Sequence, residues 1–152
     1  IALVWCLIMF FMMPYWHIYG KQNLSNEAYQ TTPAKFGAKV QAMVDQYKVG
    51  EEAGIPIVKP PAGSDIYLLG RLWQWYPILD LEKDKTYRLH LSSMDWQHGF
   101  SVQPVNINIQ VVPGYEMVIT MTPDSAGEYG IVCNEYCGIG HHMMVGKIYV
   151  KE

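Results

Sequence analysis

Charge is scarce in this chain, and basic charge scarcest of all: 11 Lys and Arg stand against 14 Asp and Glu in 152 residues. Without a basic excess there is no electrostatic footprint for phosphate, which excludes nucleic acid as a partner. The net charge of −3 is compatible with a basic protein partner but selects none. Cysteine is nearly as sparse, with three in all, so a disulfide framework is excluded. No internal repeat or low-complexity tract appears, which removes solenoids and propellers. Polar residues are missing from one stretch above all: Ile1 to Met13 holds no charge and nothing polar apart from Cys6.

That stretch reads as a hydrocarbon-facing segment. Pro14, Tyr15, Trp16, His17 and Tyr19 follow it as an interfacial aromatic belt, and Lys21 closes it. A crossing needs about 20 residues. A transmembrane helix is therefore expected over 1–19, truncated at its start or only just long enough. A secretory signal peptide is the competing reading, disfavoured because aromatics rather than small residues flank the apolar run. Either way the remainder lies outside the cytoplasm. There, free Cys133 and Cys137 would by default oxidise to a disulfide.

Residues 20–64 read as a linker. Gly20 to Thr31 is a polar tether, and Thr32-Pro33 is a helix start, with Thr as cap and Pro in the first turn. Phe36, Val40, Met43, Val44 and Tyr47 trace one helical face, so a helix is expected near 33–49, ending at Gly50. Pro56, Pro60 and Pro61 make Gly54 to Ser64 a loop or an edge segment. From Asp65 the period changes to two. Thr86–Ser92, Val105–Val111, Tyr115–Met121, Glu128–Cys133 and Val145–Val150 alternate as strands, with turns at Pro113-Gly114, Pro123-Asp124 and Ala126-Gly127. The 65–152 segment is expected to be mainly β, a Greek-key sandwich or barrel of about seven or eight strands.

The run Cys133-Asn134-Glu135-Tyr136-Cys137-Gly138-Ile139-Gly140-His141-His142-Met143-Met144 carries the chemistry. Two glycines disfavour a helix there, so the run is a loop that aims side chains at one point. Thiolate, imidazole and thioether are soft to borderline donors that select copper, and the Met argues against zinc. A Cys133–Cys137 disulfide is the rival reading, but it needs neither His141 nor Met144. His142 and Met143 are read as packing against the site rather than ligating. His90 lies between Leu89 and Leu91 and is expected on a solvated face.

The run resembles subunit II of the heme–copper oxygen reductases, the cytochrome c oxidases, whose pattern is C-x-E/Q-x-C-G-x-x-H-x-x-M with a His about thirty-five residues earlier. Here His98 precedes Cys133 by thirty-five. Asp95-Trp96-Gln97-His98-Gly99-Phe100 is similar to the family's Asp-x-x-His-x-Phe strand end. Gly70-Arg71-Leu72-Trp73-Gln74-Trp75 is similar to its aromatic patch. One apolar segment instead of two, and Gly-Ile-Gly before His141, are more similar to the B-type branch with a one-helix subunit II.

The resemblance implies a cupredoxin-like domain with a dinuclear copper centre, CuA. Cys133 and Cys137 would bridge two copper ions and His98 and His141 would each supply a nitrogen, with Met144 and the Glu135 carbonyl as weak axial ligands. The Glu135 carboxylate would be a magnesium ligand in the classical oxidases, a role left open here. The implied partners are a c-type cytochrome as donor and a heme-bearing subunit I in the inner or plasma membrane, with the β-domain on the periplasmic or extracytoplasmic side. Electrons would enter at Trp73, against the plainer reading of Trp73, Trp75 and Tyr76 as packing. The chain alone would perform no bond chemistry. A nitric-oxide reductase subunit and a copper carrier are the alternatives.

Overall fold

The computed structural model describes residues 1–19, 27–105 and 107–152. Most of the polar tether read at Gly20–Thr31 therefore lies outside the described residues, as does Asn106. Helix α1 (Ala2–Tyr19) buries none of its side chains. It is long and apolar enough to cross a membrane, with a mean hydropathy of 1.5. Eighteen residues rise about 27 Å, close to a bilayer's apolar thickness.

Beyond α1, the described residues form twelve strands in two sheets, one further α-helix and a short 3-10 turn. The five-stranded sheet runs β1 (Glu27–Gln30), β10 (Tyr115–Met121), β7 (Tyr87–Ser93), β4 (Asp65–Arg71), β5 (Gln74–Tyr76). The seven-stranded sheet runs β2 (Lys48–Glu52), β3 (Ile55–Val58), β6 (Ile78–Glu82), β12 (Val145–Lys151), β11 (Gly127–Cys133), β8 (His98–Gln103), β9 (Ile107–Val111). Pairs β4–β7, β12–β6 and β3–β6 are parallel, so the sandwich is mixed. The alternating residues Leu89, Leu91, Phe100, Val102, Ile131 and Ile148 meet in one core. Each such side chain contributes roughly 1.5–3 kcal/mol by leaving water.

Helix α2 (Pro33–Tyr47) starts as expected: the Thr32 hydroxyl accepts from the Lys35 amide at 3.3 Å, with Pro33 in the first turn. Its buried face is Phe36, Val40, Met43 and Val44. It ends at Tyr47 rather than Gly50, because Lys48 turns extended to open β2. The segment read as a linker thus supplies β1, β2 and β3 to the sheets, and Gly54–Ser64 includes a strand paired on both sides.

His90 also departs from expectation. It is buried, because the second face of β7 is covered by α2 and Tyr67 instead of solvent. Its Nδ1 lies 2.6 Å from Glu116 Oε1. Alternation reports which side a residue takes, and not whether that side is covered.

Candidate metal centre

Antiparallel pairing brings one end of the seven-stranded sheet to a focus. In the β8–β11 register Cys133 faces Phe100, so the start of β8, carrying His98, meets the end of β11, carrying Cys133. The loop from Asn134 to Met144 leaves β11 there and returns into β12. It is closed by the Cys133 amide donating to the Met144 carbonyl at 3.1 Å. The β4–β5 turn, with Leu72 and Trp73, arrives from the other sheet.

The donors expected from sequence converge. The two sulfurs lie 3.7 Å apart, far beyond the roughly 2.05 Å of a disulfide, and both cysteines are free. His98 Nδ1 is 3.9 Å from Cys133 Sγ, and His141 Nδ1 is 3.6 Å from Cys137 Sγ. Met144 Sδ lies 3.8 Å from Cys137 Sγ, and the Glu135 carbonyl 3.3 Å from Cys133 Sγ. Donor atoms of His98, Cys133 and Cys137 all fall within 4.8 Å of one another, and all three residues are buried. Two sulfurs, two imidazole nitrogens, a thioether and a carbonyl form a borderline-to-soft set that suits copper. His142 and Met143 do not pack: both face solvent, Met143 at 62% exposure.

Asp95 completes the centre. Burial works against its charge, but bonds from His98 and from the Leu72 and Trp96 amides outweigh this and hold the carboxyl below the usual carboxylate range. Ionised Asp95 therefore accepts from His98 Nε2–H at 2.8 Å. That fixes the tautomer and leaves the Nδ1 lone pair facing Cys133. Its other oxygen accepts from the Leu72 amide at 2.7 Å, so one carboxylate sets both the imidazole and the Trp73 turn. In the sequence Asp95 stands in a motif with no role of its own, and its Asp-x-x-His spacing is the signal that points to one. At the other cysteine, burial pushes the Cys137 thiol up to about 11, and the Cys133 sulfur adds to the rise.

Trp73 is 38% exposed and donates its indole N–H to the Cys137 carbonyl at 3.1 Å. Trp75, 2% exposed, packs edge-on against His98 and Phe100. The plain packing reading thus holds for Trp75, while Trp73 touches both solvent and the cysteine loop. Glu135 presents its carboxylate to Gln110 Nε2 at 3.3 Å.

A two-sheet β-fold with a His/Cys/Cys cluster between strand ends is that of a cupredoxin-like copper protein. The fold resembles rusticyanin (TM-score 0.55, 19% identity, 84% of this chain and all of that one). It also resembles the periplasmic domain of cytochrome oxidase subunit II of Bradyrhizobium japonicum (TM-score 0.55, 22% identity, 61% of this chain and 87% of that one). A chain of a heme-copper terminal oxidase dimer aligns over 99% of this chain and 94% of its own (TM-score 0.60, 23% identity). The family model for the cytochrome c oxidase subunit II periplasmic domain matches residues 69–151. Cytochrome c oxidase subunit 2 of Thermus thermophilus is 48% identical over 93 residues, 60% of this chain and 69% of that protein. A second subunit 2 from the same species, equally similar, is matched over 55% of its length. The chain belongs to the cytochrome c oxidase subunit II family.

Proposed function

We propose that this chain takes single electrons from a c-type cytochrome and passes them to a heme in a partner membrane subunit, where oxygen is reduced. The observation that carries this reading is the pair of unbridged, buried sulfurs flanked by one imidazole each. His98, Cys133, Cys137, His141, Met144 and the Glu135 carbonyl would hold two copper ions. When bound, the pair supplies a one-electron carrier whose charge is spread over two metals and two thiolates. The β-strand ends fix the ligand backbone on both sides of the loop, so geometry changes little between redox states. Asp95 holds His98 in the ligating tautomer, and the buried walls exclude water.

Trp73 is where electrons enter, because its indole spans the distance from solvent to the Cys137 carbonyl. Helix α1 anchors the chain in the membrane, with the β-domain on the extracytoplasmic side. Magnesium at the Glu135 carboxylate would require oxygen ligands from the partner subunit, since its polar side-chain contact among the described residues is the Gln110 amide.

Copper stoichiometry with electron paramagnetic resonance tests the reading. Two coppers per chain and a multiline mixed-valence signal are expected. One copper and a single-nucleus pattern would sink it in favour of a carrier.

A further inference from the structure

The cysteine loop carries two glycines, and they are there for different reasons. Gly138 has φ +106, a conformation that side chains with a Cβ rarely adopt. Gly140 has φ −87 and ψ 9, which any residue can adopt. Space alone demands glycine at 140. A Cβ there would lie 2.3 Å from Trp73 Cδ2, 2.5 Å from Cε3 and 2.6 Å from Cγ. The indole therefore lies face-on against the Gly140 Cα, while its N–H reaches the Cys137 carbonyl at 3.1 Å.

We propose that Gly140 is a positioning residue for electron uptake: its missing side chain is the seat that holds the Trp73 indole against the cysteine loop, in register for the hydrogen bond to Cys137. This rests on the reading of Trp73 as the point where electrons enter. A methyl group at 140 leaves the loop backbone free to keep its shape. The indole must instead withdraw by about 1 Å to regain ordinary carbon–carbon contact. The ring is partly exposed and sits on a turn, whereas the loop is pinned by the Cys133–Met144 and His141–Gly138 backbone bonds. The ring yields first. Withdrawal breaks the N–H···O=C link while the sulfurs and imidazoles stay in place.

Four forms of the copper-loaded full chain test this: unsubstituted, Gly140→Ala, Trp73→Ala and the double variant. Electron uptake from a reduced soluble c-type cytochrome is followed by stopped flow, beside the absorption spectrum, the reduction potential and the indole ¹H–¹⁵N resonance of Trp73. Gly140→Ala should slow uptake about tenfold, within what an ångström-scale misplacement can cost. The spectrum and potential should stay unchanged, and the Trp73 indole proton should lose its protection from exchange. Trp73→Ala should slow uptake at least as much, and adding Gly140→Ala to it should change nothing further.

Uptake at the unsubstituted rate in Gly140→Ala, beside a slow Trp73→Ala, would overturn the role of Gly140 alone. Additive slowing in the double variant, or a shifted copper spectrum, would overturn it too, since the glycine would then act through the loop. An unsubstituted rate in Trp73→Ala would remove Trp73 from the path, and with it the role assigned to Gly140.

Discussion

His98 and His90 make a natural pair for comparison. Each is a buried imidazole on a β-strand, bonded to a carboxylate through one nitrogen. They differ in what the other nitrogen meets. His98 Nδ1 faces the Cys133 sulfur at 3.9 Å. His90 Nε2 faces Asp65 Oδ1 at 3.2 Å, while Glu116 is held by Lys39 at 2.8 Å. Oriented by Asp95, His98 offers a lone pair to a soft site. His90, with its Nε2 near Asp65 but not hydrogen-bonded to it, joins Glu116 and Lys39 in a polar tie between β7, β10 and α2. Burial and a carboxylate partner do not make a ligand; the neighbour of the second nitrogen does.

The sharpest way to break that comparison is to remove each imidazole in turn. His98→Ala and Cys137→Ser should lose the native dinuclear signal, seen as altered copper stoichiometry and a lost mixed-valence resonance. His90→Ala should keep copper in full and lose stability by about 1–3 kcal/mol, the cost of leaving buried polar groups poorly partnered. Denaturant unfolding measures it. A copper signal that depends on His90 would erase the distinction.

Asp95→Asn comes next. Loss of the group that orients a metal-bound imidazole weakens metal binding by about 10–100-fold, measurable by competition with a chelator of known affinity. An unchanged affinity would mean that packing of Trp75 and Phe100 alone aims His98.

Acidity divides the same two regions more gently. In the metal-free chain the Cys137 thiol is raised from an ordinary 9.0 to about 11, so the fold favours its protonated form. That contribution is complete below pH 9 and is lost as pH climbs toward 11, because the unfolded chain gives up its proton first. Metal-free stability should fall across this window. Cys137→Ser should flatten the fall and His90→Ala should not. Copper loading must expel the thiol protons, so it should release acid and weaken as pH drops.

Much of the centre was legible because all its proposed ligands except His98 cluster in twelve consecutive residues, with side-chain chemistry that few other sites would use. Helix α2 was legible too, through Thr32-Pro33 and a four-residue apolar face. Strands β1 and β2 were not. Glu27–Gln30 exposes every side chain and Lys48–Glu52 buries none, so no apolar alternation marks them. They exist because β10 and β3 offer backbone partners. His90 was misplaced for the related reason that a helix distant in sequence covers its face. Asp95 went unassigned because spacing shows that it can reach His98, but not that it also holds the backbone amides of Leu72 and Trp96.

The smallest effects should come from the two soft residues that sequence alone brings closest to the ligand set. His142 and Met143 sit in the short 3-10 turn His141–Met143, between His141 and Met144, and chemically either would suit copper. The turn directs them outward while it presents His141 and Met144 inward, so the outer and inner members of His-His-Met-Met serve opposite sides of one backbone. His142→Ala and Met143→Ala, at exposed positions away from buried contacts, should each shift stability by no more than about 0.5 kcal/mol. Both should leave the copper spectrum and stoichiometry unchanged, where Met144→Ala, at a fully buried sulfur, should alter the spectrum. A spectral change from either exposed residue, read by absorption and paramagnetic resonance on the loaded chain, would show that the turn re-aims on binding metal.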